Sequence, residues 1–139
     1  MPQAPSAAEM RATIERHVEL WNKGEKEPWL AHMNAASVGG LTMEDPVGTP
    51  IKSGGDILGD AWDNGFSQGA WTLTIDHLVT CANELAMLVT NEGVIDGATV
   101  VVRSIETYRF GEDGSLQVRT YFDIPAGSAY GEWTSTTGS

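Results

Sequence analysis

Apolar side chains recur every three or four residues near the start of the chain, the spacing of one face of an α-helix. The stripe consists of Met10, Ile14, His17, Val18 and Trp21. Ser6 or a neighbouring residue can cap the start of this helix, and Gly24 ends it after Lys23. The pattern therefore predicts a long first helix with one apolar face.

Two shorter helices and a short strand are predicted next. Pro28 suits the first turn of a second helix, which carries the large apolar residues Trp29 and Met33. Leu41–Asp45 has the composition of a short strand, and Ile57 to Phe66 has the pattern of a third helix.

After Phe66 the pattern changes to runs rich in Val, Ile, Leu, Thr and Tyr, which are typical of strands. The runs are Trp71–Cys81, Leu85–Glu92, Thr99–Phe110 and Leu116–Ile124. Turn-forming residues separate them, so the strands should form an antiparallel sheet. Helices first and strands later predict an α+β fold, in which helices packed on a curved sheet enclose an apolar pocket.

The length of 139 residues predicts a single domain over residues 1–139. We expect an ordered core over about residues 7–125 and a loose tail from Gly127, because the tail is rich in Ser, Gly and Thr.

The charge and the missing motifs exclude several functions. A formal net charge of -11 repels phosphate backbones, so nucleic acid is a poor partner. The start of the chain lacks the pattern of a signal peptide, and no stretch approaches the roughly 18 apolar residues of a membrane span. The single cysteine, Cys81, suits a cytoplasmic location without disulfides. Phosphate-binding loops and metal-ligand spacings are absent, so we expect no metal and no organic cofactor.

One segment resembles a known enzyme family. The run Glu44-Asp45-Pro46-Val47-Gly48, followed by Lys52-Ser53-Gly54, is similar to the block that carries the catalytic base of the ketosteroid isomerases (steroid delta-isomerases). Arg16-His17-Val18 and Ile105–Phe110 are similar to the family's first helix and to one of its strands. The resemblance implies the cone-shaped fold also found in nuclear transport factor 2, in SnoaL-like polyketide cyclases and in scytalone dehydratase.

Asp45 is the first candidate for catalysis. Strand alternation places its side chain on the same face as Met43 and opposite Glu44. A carboxylate on an apolar face is unfavourable unless it is hydrogen-bonded or used. The resemblance implies that Asp45 is a general base, and the alternative is a strand-end Asp that binds nearby backbone amides.

Glu106 is the second candidate. Alternation places it on one face with Ser104 and Tyr108, whereas Arg103 and Ile105 fall on the other. An acid among apolar side chains should have a raised pKa. The resemblance implies a neutral carboxylic acid that donates a hydrogen bond to an oxyanion. A solvent-facing Glu on an amphipathic strand is the alternative.

His17 is the third candidate and departs from the family pattern, which has a Tyr at this position. A neutral imidazole can donate one hydrogen bond to an oxyanion, so His17 can assist Glu106. It can also be a core histidine with its hydrogen bonds satisfied. If His17 pairs with an Asp, dehydration is an alternative reaction.

The resemblance implies an isomerase that shifts a C=C bond in an apolar ketone such as a 3-oxo-Δ5-steroid. Aromatic and apolar residues are expected to form the substrate-binding walls: Trp29, Met33, Val47, Trp62, Phe66, Met87, Val89, Tyr108 and Tyr121. The alternatives are a SnoaL-like cyclase, a dehydratase or a hydrolase, and a protein that only binds an apolar ligand. A homodimer formed through the sheet is a further expectation from the resemblance.

Overall fold

The computed structural model describes residues 3–66 and 69–123, so the prediction about the tail lies outside the described residues. Three helices precede most of a six-stranded sheet, which confirms the α+β class. The elements are α1 Ala7–Lys23, α2 Lys26–Ala35, β1 Leu41–Glu44, β2 Lys52–Ser53, α3 Ile57–Gly65, β3 Trp71–Cys81, β4 Glu84–Ile95, β5 Ala98–Phe110 and β6 Leu116–Phe122.

Helix α1 begins and ends at the predicted residues. Ser6 and Glu9 form a reciprocal capping box, and Gly24 ends the helix in the left-handed conformation with φ 69°. The predicted apolar stripe is buried at Met10, Ile14, His17 and Val18. The capping and the stripe together fix how the helix lies on the sheet.

The strand order in the sheet is β2-β1-β6-β5-β4-β3. Strands β3 to β6 pair antiparallel as predicted, whereas β1 pairs parallel with β6, in the register Met43 opposite Val118. The parallel pair is possible because a helix and several strands separate β1 from β6 in sequence, which allows the chain to cross over. Strand β1 thus joins the same sheet as the later strands, and it ends at Glu44, one residue before the predicted end at Asp45.

Helix α1 is attached to the edge strand β3 by two side chains. Asn22 accepts a hydrogen bond from the Leu73 amide at 2.7 Å and donates to the Leu73 carbonyl oxygen at 2.8 Å. The Trp21 indole N–H donates to the Trp71 carbonyl oxygen at 3.0 Å. These bonds satisfy backbone groups at the sheet edge and hold α1 in place.

The core lies between the helices and the inner face of the sheet, with Met10, Ile14, Leu85 and Val89 nearly inaccessible to solvent. None of the helices among the described residues is long and apolar enough to cross a membrane. The outer sheet face carries exposed Val101, and the dimer through this face stays a prediction.

Candidate functional site

A cavity of about 530 Å³ lies between the helices and the inner face of the sheet. His17 reaches it from α1, Asp45 from the end of β1 and Glu106 from β5. These residues are far apart in the sequence, yet all three border one space. The fold therefore brings the three candidate residues together.

Asp45 faces the cavity on the same side as buried Met43, as alternation predicts. The Thr120 hydroxyl of β6 donates a hydrogen bond to Asp45 Oδ1. Glu44 points the other way, where it accepts from Arg119 Nε at 3.0 Å and from the Gly48 amide at 3.2 Å. Glu44, and not Asp45, therefore fixes the turn through a backbone amide, and this leaves the Asp45 carboxylate directed at the cavity.

Glu106 is buried, with 8% of its surface exposed. Burial raises the pKa of Glu106 to about 7, and the charge of Asp45 also acts to raise this pKa, while the hydrogen bond from Tyr108 acts in the opposite direction. The Tyr108 hydroxyl donates to Glu106 Oε1 at 2.6 Å. Below neutral pH, Glu106 is therefore mainly a neutral acid, whose second oxygen can carry the proton.

Glu106 and Thr120 are direct partners in the register of β5 and β6. Directly opposed residues in an antiparallel pair have Cβ atoms about 5 Å apart. Because Thr120 also binds Asp45, it brings the two carboxyl groups into one neighbourhood.

A hydrogen bond from Trp29 orients the ring of His17. The Trp29 indole N–H, which can only donate, binds His17 Nδ1 at 2.8 Å. Burial lowers the pKa of His17 to about 4, and the charge of His32 acts in the same direction. At neutral pH the imidazole is therefore uncharged, with its proton on Nε2, so this nitrogen is a hydrogen-bond donor of a residue that borders the cavity.

The arrangement pairs an acid with a base in apolar surroundings. Asp45 offers a carboxylate, whereas Glu106 offers a proton and His17 an N–H group. A low local dielectric strengthens each of these interactions. Such a site can remove a proton from a carbon or hydroxyl group and stabilise an oxygen that gains negative charge.

The predicted wall residues divide into three groups. Trp29, Met33 and Tyr108 border the cavity, and their contact with a substrate stays a prediction. Five others pack in the core or beside the site without bordering it: Val47, Trp62, Phe66, Met87 and Val89. Tyr121 corrects the expectation, because alternation from buried Thr120 turns it to the outer face beside Arg119.

The sequence alone did not single out Thr120, Asn91 or the polar role of Tyr108. Alternation along β6 from Val118 could have placed Thr120 inward, but not next to Asp45, which is 75 residues away. No group of three or more potential metal ligands occurs in the part of the chain that the structure describes.

Several solved structures have a similar fold. The epoxide hydrolase/cyclase-like enzyme SalBIII, which has a role in pyran ring formation in the polyether salinomycin, superposes with a TM-score of 0.71 at 14% identity, covering 84% of this chain and 92% of that one. A cystatin-like protein of unknown function from Methylobium petroleophilum PM1 gives 0.65 at 22% identity, covering 93% and 84%. A computationally designed 17-OHP binder gives 0.64 at 20% identity, covering 81% and 89%.

No protein-family model matches the chain, and no curated protein matches it either. At these identities the structural likeness establishes the fold and leaves the reaction open. The chain shares its α+β fold, three helices packed on a six-stranded, mostly antiparallel sheet, with these solved structures.

Proposed function

We propose that the protein is a proton-transfer isomerase that shifts a C=C bond in an apolar ketone, with a 3-oxo-Δ5-steroid as the test substrate. The observation that carries the proposal is the pair of carboxyl groups, Asp45 and Glu106, at one cavity with different surroundings. Asp45 is hydrogen-bonded and half-buried, whereas Glu106 is buried and mainly protonated below neutral pH.

The reaction requires one base and one oxyanion site. Asp45 removes a proton from C4, between the ketone and the double bond, and the electrons move onto the ketone oxygen to give a dienolate. The proton then returns to C6, so that the conjugated ketone forms with no net gain or loss of atoms. General-base catalysis of this kind contributes about 10²–10⁴-fold.

Glu106 and His17 stabilise the dienolate oxygen. Tyr108 occupies Glu106 Oε1, so the acidic proton sits on Oε2. Trp29 occupies His17 Nδ1, so the imidazole donates through Nε2. Each donor is fixed by a partner before substrate binds, which is the arrangement that makes an oxyanion site effective.

Two alternative reactions receive less support. His17 binds Trp29 instead of a pocket Asp, so the His–Asp pair expected for dehydration is missing among the described residues. Arg103 lies on the outer face, 67% exposed, and its guanidinium is 3.6 Å from Asp76. Arg103 therefore cannot act with a carboxylate to hold the attacking water molecule inside the cavity, as hydrolysis would require.

Cyclisation of a hydroxy-epoxide is the second candidate. The same acid–base pair suits it, because Glu106 can protonate an epoxide oxygen while Asp45 accepts the hydroxyl proton. The fold similarity to SalBIII favours testing this reaction. Binding of an apolar ligand without turnover is the non-enzymatic alternative.

The test is ultraviolet detection of the conjugated enone formed from a Δ5-3-ketosteroid. We expect product formation by the wild type, a fall of about 10²–10⁴-fold in Asp45→Asn, and no change in Asp60→Asn, which alters an exposed acid on α3. Equal rates in the wild type and Asp45→Asn would contradict the proposal. Ring closure of a hydroxy-epoxide without enone formation would favour the cyclase.

A further inference from the structure

A polar side chain lies in the cavity at a distance from the catalytic residues. Asn91 on β4 borders the cavity together with Trp71, Leu73 and Val102. These three neighbours are largely apolar, so the Asn91 amide adds a polar group to this part of the cavity wall.

The orientation of the Asn91 amide is fixed by its partners. Its Nδ2 group donates to the Val102 carbonyl oxygen at 3.0 Å and to Ser104 Oγ at 2.9 Å. A carbonyl oxygen can only accept, so nitrogen must face Val102 and the amide cannot be flipped. Both N–H groups are thereby used within the protein.

The Oδ1 oxygen of Asn91 is different. Across residues 3–66 and 69–123 it accepts no hydrogen bond from another residue. An acceptor in an apolar wall is stabilised by a ligand that supplies a donor, and it repels a ligand that presents only another acceptor.

The distance from the reacting site sets the size of the ligand. Val102 and Ser104 lie four and two residues before Glu106 on the same face of β5. At about 3.3 Å per residue, the Asn91 amide lies roughly 7–13 Å from Glu106, measured along strand β5. A single ring cannot reach both places, whereas a fused polycycle can.

We infer that Asn91 is a specificity residue that accepts a hydrogen bond from a hydroxyl group at the end of the ligand remote from its ketone. The inference rests on the proposed function, because it takes the ketone to lie at Glu106 and His17. It narrows the substrate class to polycyclic hydroxy-ketones and disfavours diketones with a carbonyl at the remote end.

The test compares two Δ4-3-ketosteroids that differ only at C17, one with a hydroxyl and one with a ketone. Neither undergoes the proposed reaction, so calorimetry or tryptophan fluorescence measures binding alone. We expect the hydroxyl compound to bind the wild type about tenfold more tightly, as one hydrogen bond allows. In Asn91→Leu the ratio should fall to about one, with the affinity for the ketone retained.

Asn91→Thr is a second variant with a residue suited to a strand, and its hydroxyl can both donate and accept, so the ratio should again approach one. Asn34→Leu, at an exposed position on α2, is the matched control and should keep the wild-type ratio. Equal binding of both steroids to the wild type, or an unchanged ratio in Asn91→Leu, would overturn the inference and leave the proposed isomerisation standing. Failure of both steroids to bind would contradict both.

Discussion

At the scale of single residues, the surroundings of each polar group decide its chemical form. Asp45 accepts a hydrogen bond from the Thr120 hydroxyl, whereas burial favours the neutral form of Glu106. Trp29 selects the tautomer of His17. Strand and helix periodicity predicted which neighbours share a face with each of these three side chains, and the resemblance implied that they line a pocket. Neither could identify Thr120 or Trp29 as their partners, because those contacts arise only from tertiary packing.

Removal of the Thr120 hydroxyl should impair catalysis by Asp45. Thr120→Val keeps the shape of the side chain but leaves the Asp45 carboxylate without its donor, so the position of the carboxylate is less well defined. We expect kcat for enone formation to fall about tenfold, as for loss of a hydrogen bond to a charged group. Thr74→Val, at an exposed position on β3, is the control, and an equal fall in both variants would argue against a specific role for Thr120.

Removal of the Trp29 indole N–H should abolish the preference of His17 for one neutral tautomer. In Trp29→Phe, nothing holds the proton on Nε2, so nitrogen NMR should detect both neutral tautomers in place of one. Trp21→Phe removes an indole that binds the Trp71 carbonyl oxygen, and it should leave His17 unchanged. A single Nε2–H tautomer in Trp29→Phe would show that another contact determines which nitrogen of His17 carries the proton.

At the scale of secondary structure, the site depends on how helix α1 and strand β1 are attached to the sheet. Local patterns predicted β3 and α1 at their observed bounds, because apolar periodicity and capping residues lie within each segment. They did not predict the two-residue strand β2 or the parallel pairing of β1 with β6, because these depend on contacts between distant segments. Asp45 owes its place beside β6 to that parallel pairing.

The attachment of α1 to β3 can be tested at Asn22. Asn22→Ala removes both hydrogen bonds to Leu73, so the Leu73 amide and carbonyl groups at the sheet edge would bind water instead. Because these groups are exposed, we expect a loss of about 1 kcal/mol in the free energy of unfolding, measured with urea. Asn34→Ala, on an exposed face of α2, should change it by less than about 0.5 kcal/mol, and similar values for both variants would contradict the attachment.

At the scale of the whole molecule, two buried groups give stability opposite dependences on pH. His17 has a pKa of about 4 in the folded chain against an ordinary value of 6.5, so its contribution is present above pH 6.5 and lost as pH falls towards 4. Glu106 has a folded pKa of about 7 against an ordinary value of 4.5, so its contribution is present below pH 4.5 and lost as pH rises through 7. The two effects partly cancel between pH 4.5 and 6.5.

Glu106→Gln should remove one of these opposing effects. The unfolding free energy of this variant minus that of the wild type should rise by about 3 kcal/mol from pH 4.5 to pH 8. The reason is that the wild type must bury a charge on Glu106 at the higher pH, whereas the amide has no charge to bury. Urea unfolding at the two pH values measures the difference, and other titrating groups cancel in the comparison. Parallel pH curves for variant and wild type would show that folding does not raise the pKa of Glu106.

The most direct measurement follows the proton itself. A Δ5-3-ketosteroid with two deuterium atoms at C4 is incubated with the protein in ordinary water, and mass spectrometry or NMR locates deuterium in the enone. Because one carboxylate, Asp45, both removes and returns the proton, we expect deuterium at C6 above the level in Asp45→Asn. Absence of product, or product with only solvent hydrogen at C6, would contradict the proposed proton transfer.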